Sequence, residues 1–373
     1  MQHKTSYKLL TFYRFVDIKN PELEVANHLQ FCADIGMKGR IYIGEEGISA
    51  TVSGNIGQLQ AYRAFLESNP YFQNIADVDI KSSKIKEHAF DKMIVRYRAE
   101  IVALGVHVTQ KEVDEAYQKI SVDEFKKIVD TQDPNYAILD MRNTYEYKLG
   151  HFKNAIPSGT NNFREVQDLT QKYMQHFADK KVIMYCTWGI RCEKLSALLK
   201  KDGITNFYAL DGGVVKYVNT HNDGNREWNL YTFDWLISTT VGDKKTHTKI
   251  GECIYTGRKT DNAENCRYSP CNARIIATKK AFKKHMGFCS QECVDKAKQD
   301  LLIKTDLRID PIDYKELRGQ IKQTKVTFAQ AQEQVIAQLD TRLAKTGFKH
   351  KTSQKEEIVD QGILDKYLPS CSV

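Results

Sequence analysis

Between residues 7 and 105 the chain alternates between two hydrophobic periods. "YKLLTFYRFV", dense in aromatic and aliphatic residues, predicts a strand. "PELEVANHLQFCADIG" has Pro21 in its first turn and stops at Gly36, as a helix does. "GRIYIGEEGISATVSG" predicts two short strands joined through Glu45-Glu46-Gly47, and "IGQLQAYRAFLESN" carries apolar residues at helical spacing. "VDIKSSKIK" and "KMIVRYRAEIVAL" close the region as strands. The first six elements, in the order βαββαβ, predict a small ferredoxin-like α+β domain over residues 1–108.

A charged helical linker over Thr109–Tyr117 leads to a second unit, residues 118–230. "SVDEFKKIVD" opens with Ser121 and has Glu124 three residues on, the pattern of a capping box. "YAILDMR" and "KKVIMYC" are apolar strands, and "FREVQDLTQKYMQHF" between them is a helix. "EKLSALLKKDG" is a helix closed by Gly203, and "NFYALDGG" a strand and turn. Strands alternating with helices imply a mainly parallel, α/β sheet. Residues 231–300 form a cysteine-rich basic module, and 301–373 a helical tail. In that tail "TFAQAQEQVIAQLDTRLAKTG" places Phe328, Val335, Ile336, Leu339 and Leu343 on one helical face, more a packing stripe than a binding device. The stretch from Lys349 is polar, and mobility is expected there.

Charge and cysteine content narrow the function. The net charge is +8. Lys244–Cys293 holds 11 Lys or Arg against 4 Asp or Glu, so this stretch carries a local +7. One reading is a solvated lysine face. The other is a phosphate-binding footprint, with Lys279, Lys280, Lys283 and Lys284 as its densest part. No apolar run approaches the roughly 20 residues that span a bilayer, and the N-terminus lacks a signal-peptide pattern. No membrane association and a cytoplasmic location are therefore expected. There the nine cysteines point to catalysis or metal binding rather than to disulfides.

Cys186 stands where a strand ends and a helix begins, at the carboxyl edge of a parallel sheet where ligands gather. Backbone N–H groups of Thr187, Trp188, Gly189, Ile190 and Arg191 can turn inward around it, with Gly189 easing the turn. Such a cradle, and the charge of Arg191, would depress the pKa of a thiol and make it nucleophilic. Cys192, six positions on, either resolves an oxidised Cys186 or packs into the sheet. Among the later cysteines, Cys266-x4-Cys271 and Cys289-x3-Cys293 form the best set for a tetrahedral zinc. Free thiols or a degenerate module are the alternatives, and His285 is a candidate substitute ligand, since Cys253 has no cysteine partner near it in sequence.

These residues carry a resemblance. "LDMRNTYEYKLGHFKNAIP" followed by "VIMYCTWGIRCEKLSALLKKDGITNFYALDGGV" resembles a rhodanese domain. Asp140 and Arg142 match its strand-end Asp-x-Arg. Glu146, Gly150, His151 and Pro157 match its "E…GHI…AIP" pattern, and Asp211-Gly212-Gly213 its closing turn. Cys186 falls on the nucleophile. Four residues separate it from Arg191, as in sulfur-handling rhodaneses, whereas related phosphatases have five.

Residues 7–295 as a whole resemble the bacterial rhodanese-domain tRNA uridine hydroxylases. The resemblance implies oxygen-dependent conversion of the wobble uridine to 5-hydroxyuridine, a requirement for the loop cysteine, and the tRNA anticodon arm as partner. Protein partners and the electron donor are left open. Two departures stand out. Trp188 replaces a glycine of the family's loop, and either narrows the pocket mouth, stacks on a flipped base or merely covers the loop. Thr256 stands where relatives carry a second cysteine after Cys253. The rival functions are a sulfurtransferase that carries a persulfide on Cys186, and a non-catalytic RNA-binding protein.

Overall fold

The computed structural model describes residues 7–73, 81–85, 87–221, 226–228, 230–231, 238–239, 249–268, 270–271 and 273–300. The helix expected over residues 327–347 and the polar stretch from Lys349 lie outside these.

The first domain runs β1 (Tyr7–Phe15), α1 (Pro21–Asp34), β2 (Lys38–Gly44), β3 (Gly47–Asn55), α2 (Ile56–Ser68), β4 (Lys81–Ile85) and β5 (Met93–Tyr97). Its sheet has the order β4-β1-β3-β2-β5, and β5 joins β2 in parallel where the other pairs are antiparallel. This is the expected ferredoxin-like arrangement with a fifth strand on one edge. Asn20 caps α1 by accepting from Leu23 N, and Asn55 and Gln58 form a reciprocal capping box at α2. Alternate residues of the strands, Phe12, Ile41, Ile43, Ile48, Ala50 and Val52, are buried beneath the two helices with Tyr62 and Leu66. Among the described residues, the opposite face of the sheet carries no helix of this domain.

The connecting helix α3 (Gln110–Ala116) starts at Thr109, which forms a capping box with Glu112. Then follow β6 (Lys119–Ile120), α4 (Val122–Thr131), β7 (Tyr136–Asp140), α5 (Thr144–Leu149), β8 (Gly150–Phe152), β9 (Ile156–Pro157), α6 (Val166–His176), β10 (Lys181–Tyr185), α7 (Ile190–Lys201), β11 (Phe207–Leu210) and α8 (Gly213–Thr220). The main sheet, β6-β11-β10-β7-β9, is parallel throughout. Both its faces are covered, which is why its strands read as continuous apolar runs. The helix expected from Phe163 begins as a 3-10 turn, Phe163–Glu165, before α6. At α4 Ser121 Oγ accepts from Glu124 N, the first half of the box expected there.

Phe15, Ile101, Leu104 and Val108 join the core built on α6 and α7, so the first domain and the linker pack into the second. The last described region contains β12 (Arg226–Trp228), β13 (Leu230–Tyr231), β14 (Ser238–Thr239), β15 (Ala263–Asn265), β16 (Arg274–Ile276), α9 (Lys279–Lys284) and α10 (Gln291–Asp300). It docks on α5, where Leu149 and Tyr145 meet Ala263 and Ile276.

Candidate active site

Cys186 directly follows β10, and the chain turns into α7 four residues later. The turn needs a left-handed residue, and Gly189 supplies it at φ +99°. Its N–H thereby points at Cys186 Sγ, 3.1 Å away. The loop is fixed from below by the Gly212-Gly213 turn: Val214 N donates to Cys186 O and Val215 N to Thr187 O, at 3.0 and 3.1 Å. A Cβ on Gly213 would lie 2.5 Å from Cys186 O and 2.8 Å from Gly189 N, so no larger residue fits under the loop.

Cys186 is fully buried. Burial alone would push its thiol up. The Cys192 thiol, the Arg191 charge and the backbone N–H groups of Cys192 and Arg191 outweigh it and bring the pKa down to about 5. Cys192 moves the opposite way, because burial and then its hydrogen bond to Cys186 hold it protonated. The pair therefore consists of one thiolate and one thiol at neutral pH, with no disulfide between them.

Arg191 is held by a carboxylate to which the sequence assigns no role. Glu146, fully buried on α5, takes two charge-assisted hydrogen bonds from Arg191, Nη1 and Nη2 each at 2.8 Å. Thr187 Oγ1 also donates to it at 3.3 Å. Asp140 and Arg142 form a second buried pair, with Arg142 Nη2 2.6 Å from Asp140 Oδ2. Tyr185 donates to the same oxygen at 2.7 Å, and Arg142 reaches the carbonyl of Gly150. This pair ties β7, β10 and the start of β8 together behind the thiol. Trp188 is half-buried and packs against the cluster around Phe125 and Val214.

The first domain reaches the same loop. The Tyr13 hydroxyl donates to Glu193 Oε1 at 2.9 Å and lies 3.3 Å from the carbonyl of Trp188. A Cβ on Gly189 would stand 2.9 Å from that hydroxyl and 3.7 Å from the Tyr117 hydroxyl. One residue further along α7, Lys194 is fully buried. Its ammonium meets Glu46 Oε2 and Glu100 Oε2 at 2.8 Å each and the carbonyl of Val102 at 2.9 Å. Glu46 belongs to the β2–β3 turn and also accepts from Ile101 N at 2.7 Å.

In the last region the β15–β16 hairpin presents Cys266 and Cys271, and Cys289 and Cys293 lie at the start of α10. The four Sγ atoms lie within 4.8 Å of one another. Cys253 and His285 are outside this group, and His285 stacks on Tyr255 at a centroid distance of 4.6 Å. Lys279, Lys280, Lys283 and Lys284 are exposed on α9, flanking the buried Ala281 and Phe282.

A parallel sheet ending in a Cys-to-Arg loop that cradles a sulfur defines a rhodanese-like domain, and residues 121–220 match the family of that description. Residues 7–101 match the UPF0176 acylphosphatase like domain, and 227–294 the Rhodanase C-terminal domain. The chain is 37% identical over 293 residues to the tRNA uridine(34) hydroxylase of Bacillus velezensis, covering 77% of this chain and 88% of that one. With the enzyme of the same name from Bacillus pumilus it shares 36% identity over 289 residues, with the same coverage. The chain belongs to the tRNA uridine(34) hydroxylase family.

Proposed function

We propose that this chain hydroxylates the wobble uridine of tRNA to 5-hydroxyuridine, using molecular oxygen, with Cys186 as the reacting group. The observation that carries the reading is a buried thiolate, pKa about 5, at the strand end of a chain from this family. Buried from water, such a sulfur is both ionised and poorly solvated, the condition in which it is a strong nucleophile. Replacement of C5–H by C5–OH takes one oxygen atom from O2. The other leaves as water, with two electrons and two protons supplied by an external reductant. Glu146 holds Arg191 at the thiolate, and Asp140 with Arg142 fixes the strands behind it. The substrate lies in the cytoplasm, and no helix among the described residues is long and apolar enough to cross a membrane.

The test is mass spectrometry of tRNA nucleosides from cells lacking the protein, complemented with the intact chain or Cys186→Ala. The intact chain should restore 5-hydroxyuridine-derived nucleosides, and Cys186→Ala should restore none. Restoration by the alanine variant would remove the thiol from the reaction. Unchanged nucleosides in the deleted strain, together with sulfide release from thiosulfate, would replace hydroxylation by sulfur transfer.

Cys266, Cys271, Cys289 and Cys293 would hold a structural zinc. Tetrahedral Zn–S bonds of about 2.3 Å set sulfurs about 3.8 Å apart. Cys271 and Cys289 are separated by 3.6 Å, and Cys289 and Cys293 by 3.4 Å. Four protein ligands leave no position for a substrate, so the metal would hold the hairpin to α10 and do no chemistry. Purified protein should contain one zinc per chain, and a chelator should lower its unfolding temperature. Metal-free protein with the same unfolding temperature would exclude the assignment.

A further inference from the structure

The open face of the first domain's sheet is defined by its register. Tyr13 pairs with Ser49, Ser49 with Tyr42 and Tyr42 with Arg96, so these side chains make one row across β1, β3, β2 and β5. Thr11, Thr51, Arg40 and Ile94 make the next, and Thr11 Oγ1 donates to Thr51 Oγ1 at 3.3 Å across it. Arg40 and Arg96 are exposed, and Tyr42 is half-buried. The Arg40 guanidinium lies over the Phe90 ring at 5.8 Å, and that of the exposed Arg98 over Tyr42 at 5.7 Å. Neither row contains Asp or Glu.

The first row ends at the loop that holds Cys186. Tyr13 touches Trp188 and Glu193, on either side of the Gly189 N–H that points at Cys186. With strands about 4.8 Å apart, the row runs roughly 14 Å from Arg96 to that loop.

We propose that this sheet face seats the single-stranded anticodon loop of the tRNA and leads its target base past Tyr13 to Cys186. The inference rests on the reading of the chain as a tRNA-modifying enzyme. An unpaired RNA loop offers phosphates and splayed bases together. An open sheet that interleaves guanidinium groups with aromatic rings meets both, since bases stack on either plane while the cations neutralise the backbone. The α9 lysines differ in kind: they present charge around buried apolar residues, which suits a paired stem. Loop and stem thus fall on separate surfaces, and only the first is continuous with the thiol.

The experiment measures binding of full-length Cys186→Ala protein to an anticodon stem-loop RNA and to a blunt duplex of the same stem, over a range of salt. Adding Arg40→Ala with Arg96→Ala should weaken stem-loop binding about tenfold or more and lower the salt slope by about 1.4, roughly 0.7 for each cation on a single strand. Tyr42→Ala should weaken it about tenfold at unchanged slope, Tyr42→Phe should restore it, and duplex binding should not move. Each variant's unfolding temperature separates a lost contact from a lost fold. If these variants bind the stem-loop as tightly as their parent while the wild-type chain hydroxylates tRNA, the sheet face is not the seat and the functional reading stands. If the wild-type chain neither binds the stem-loop nor forms 5-hydroxyuridine, both fall.

Discussion

Glu146→Gln should destabilise the folded protein by about 3–5 kcal/mol, although it exchanges only an oxygen for an amide. Glu146 is the anion that holds Arg191 at the loop, and both groups are shielded from water. The attraction repays two desolvation costs only while both charges are present, so the variant leaves a guanidinium with a neutral partner. The helix pair Lys126–Asp130, also at hydrogen-bond distance but with side chains 30% and 41% exposed, contributes under about 1 kcal/mol by comparison. Denaturant unfolding checks the difference. Adding Arg191→Met to Glu146→Gln should recover part of the loss, because the buried guanidinium is gone, although the Cys186 thiolate then loses its cation.

The double variant should not recover the thiolate. Arg191 is one of the groups that bring Cys186 down to about 5, and with methionine there the midpoint should rise. Thiolate absorbance, taken as the difference between each protein and its Cys186→Ala counterpart, reads that midpoint. The sign of the linked stability follows. The native pKa lies below that of an unfolded thiol, so the thiolate's contribution is complete above the unfolded value and declines as pH falls through about 5. At pH 7 it is worth ~3 kcal/mol. A double variant that regained stability and kept its midpoint near 5 would deny Arg191 its electrostatic role.

What the sequence reveals and what it hides divide by distance along the chain. The cradle is legible because Cys186, Gly189, Arg191 and Cys192 are contiguous, and a strand running into a helix gives the turn its geometry. The alternation of the first domain likewise fixes its strands and its order. Partners across the fold leave no such trace. Glu146 meets Arg191 from 45 residues away, Glu46 meets Lys194 from 148, and Tyr13 meets Glu193 from 180. Glu146 is visible in the sequence as part of a motif, but its charge balance with Arg191 is not. The sequence places Glu46 only in a turn between two strands and Lys194 only on the helix after the loop, with nothing to join them. One signal for Lys194 exists: it lies one turn before Leu198, on a stripe that continues into the core. For Tyr13, alternation identifies a face of β1 but not the loop of another domain against it.

Lys194→Met should release the first domain from the rhodanese-like one. The ammonium joins Glu46, Glu100 and the carbonyl of Val102, and so connects the β2–β3 turn and the segment after β5 to α7. Methionine fills comparable space but leaves the buried Glu46 carboxylate with backbone N–H donors alone. The expected loss is about 3–5 kcal/mol, accompanied by earlier proteolysis between residues 98 and 109 and by unfolding in two steps where the wild type shows one. Lys194 stands eight residues after Cys186 on the helix that closes its loop, so domain release should also reduce hydroxylation. Glu46→Gln combined with Lys194→Met separates charge from shape. It should recover stability, since the buried anion is gone, and should still let the domains part more readily than in the wild type. Single-step unfolding with wild-type protease resistance in Lys194→Met would mean that the apolar contacts of Phe15, Ile101 and Leu104 hold the domains together by themselves.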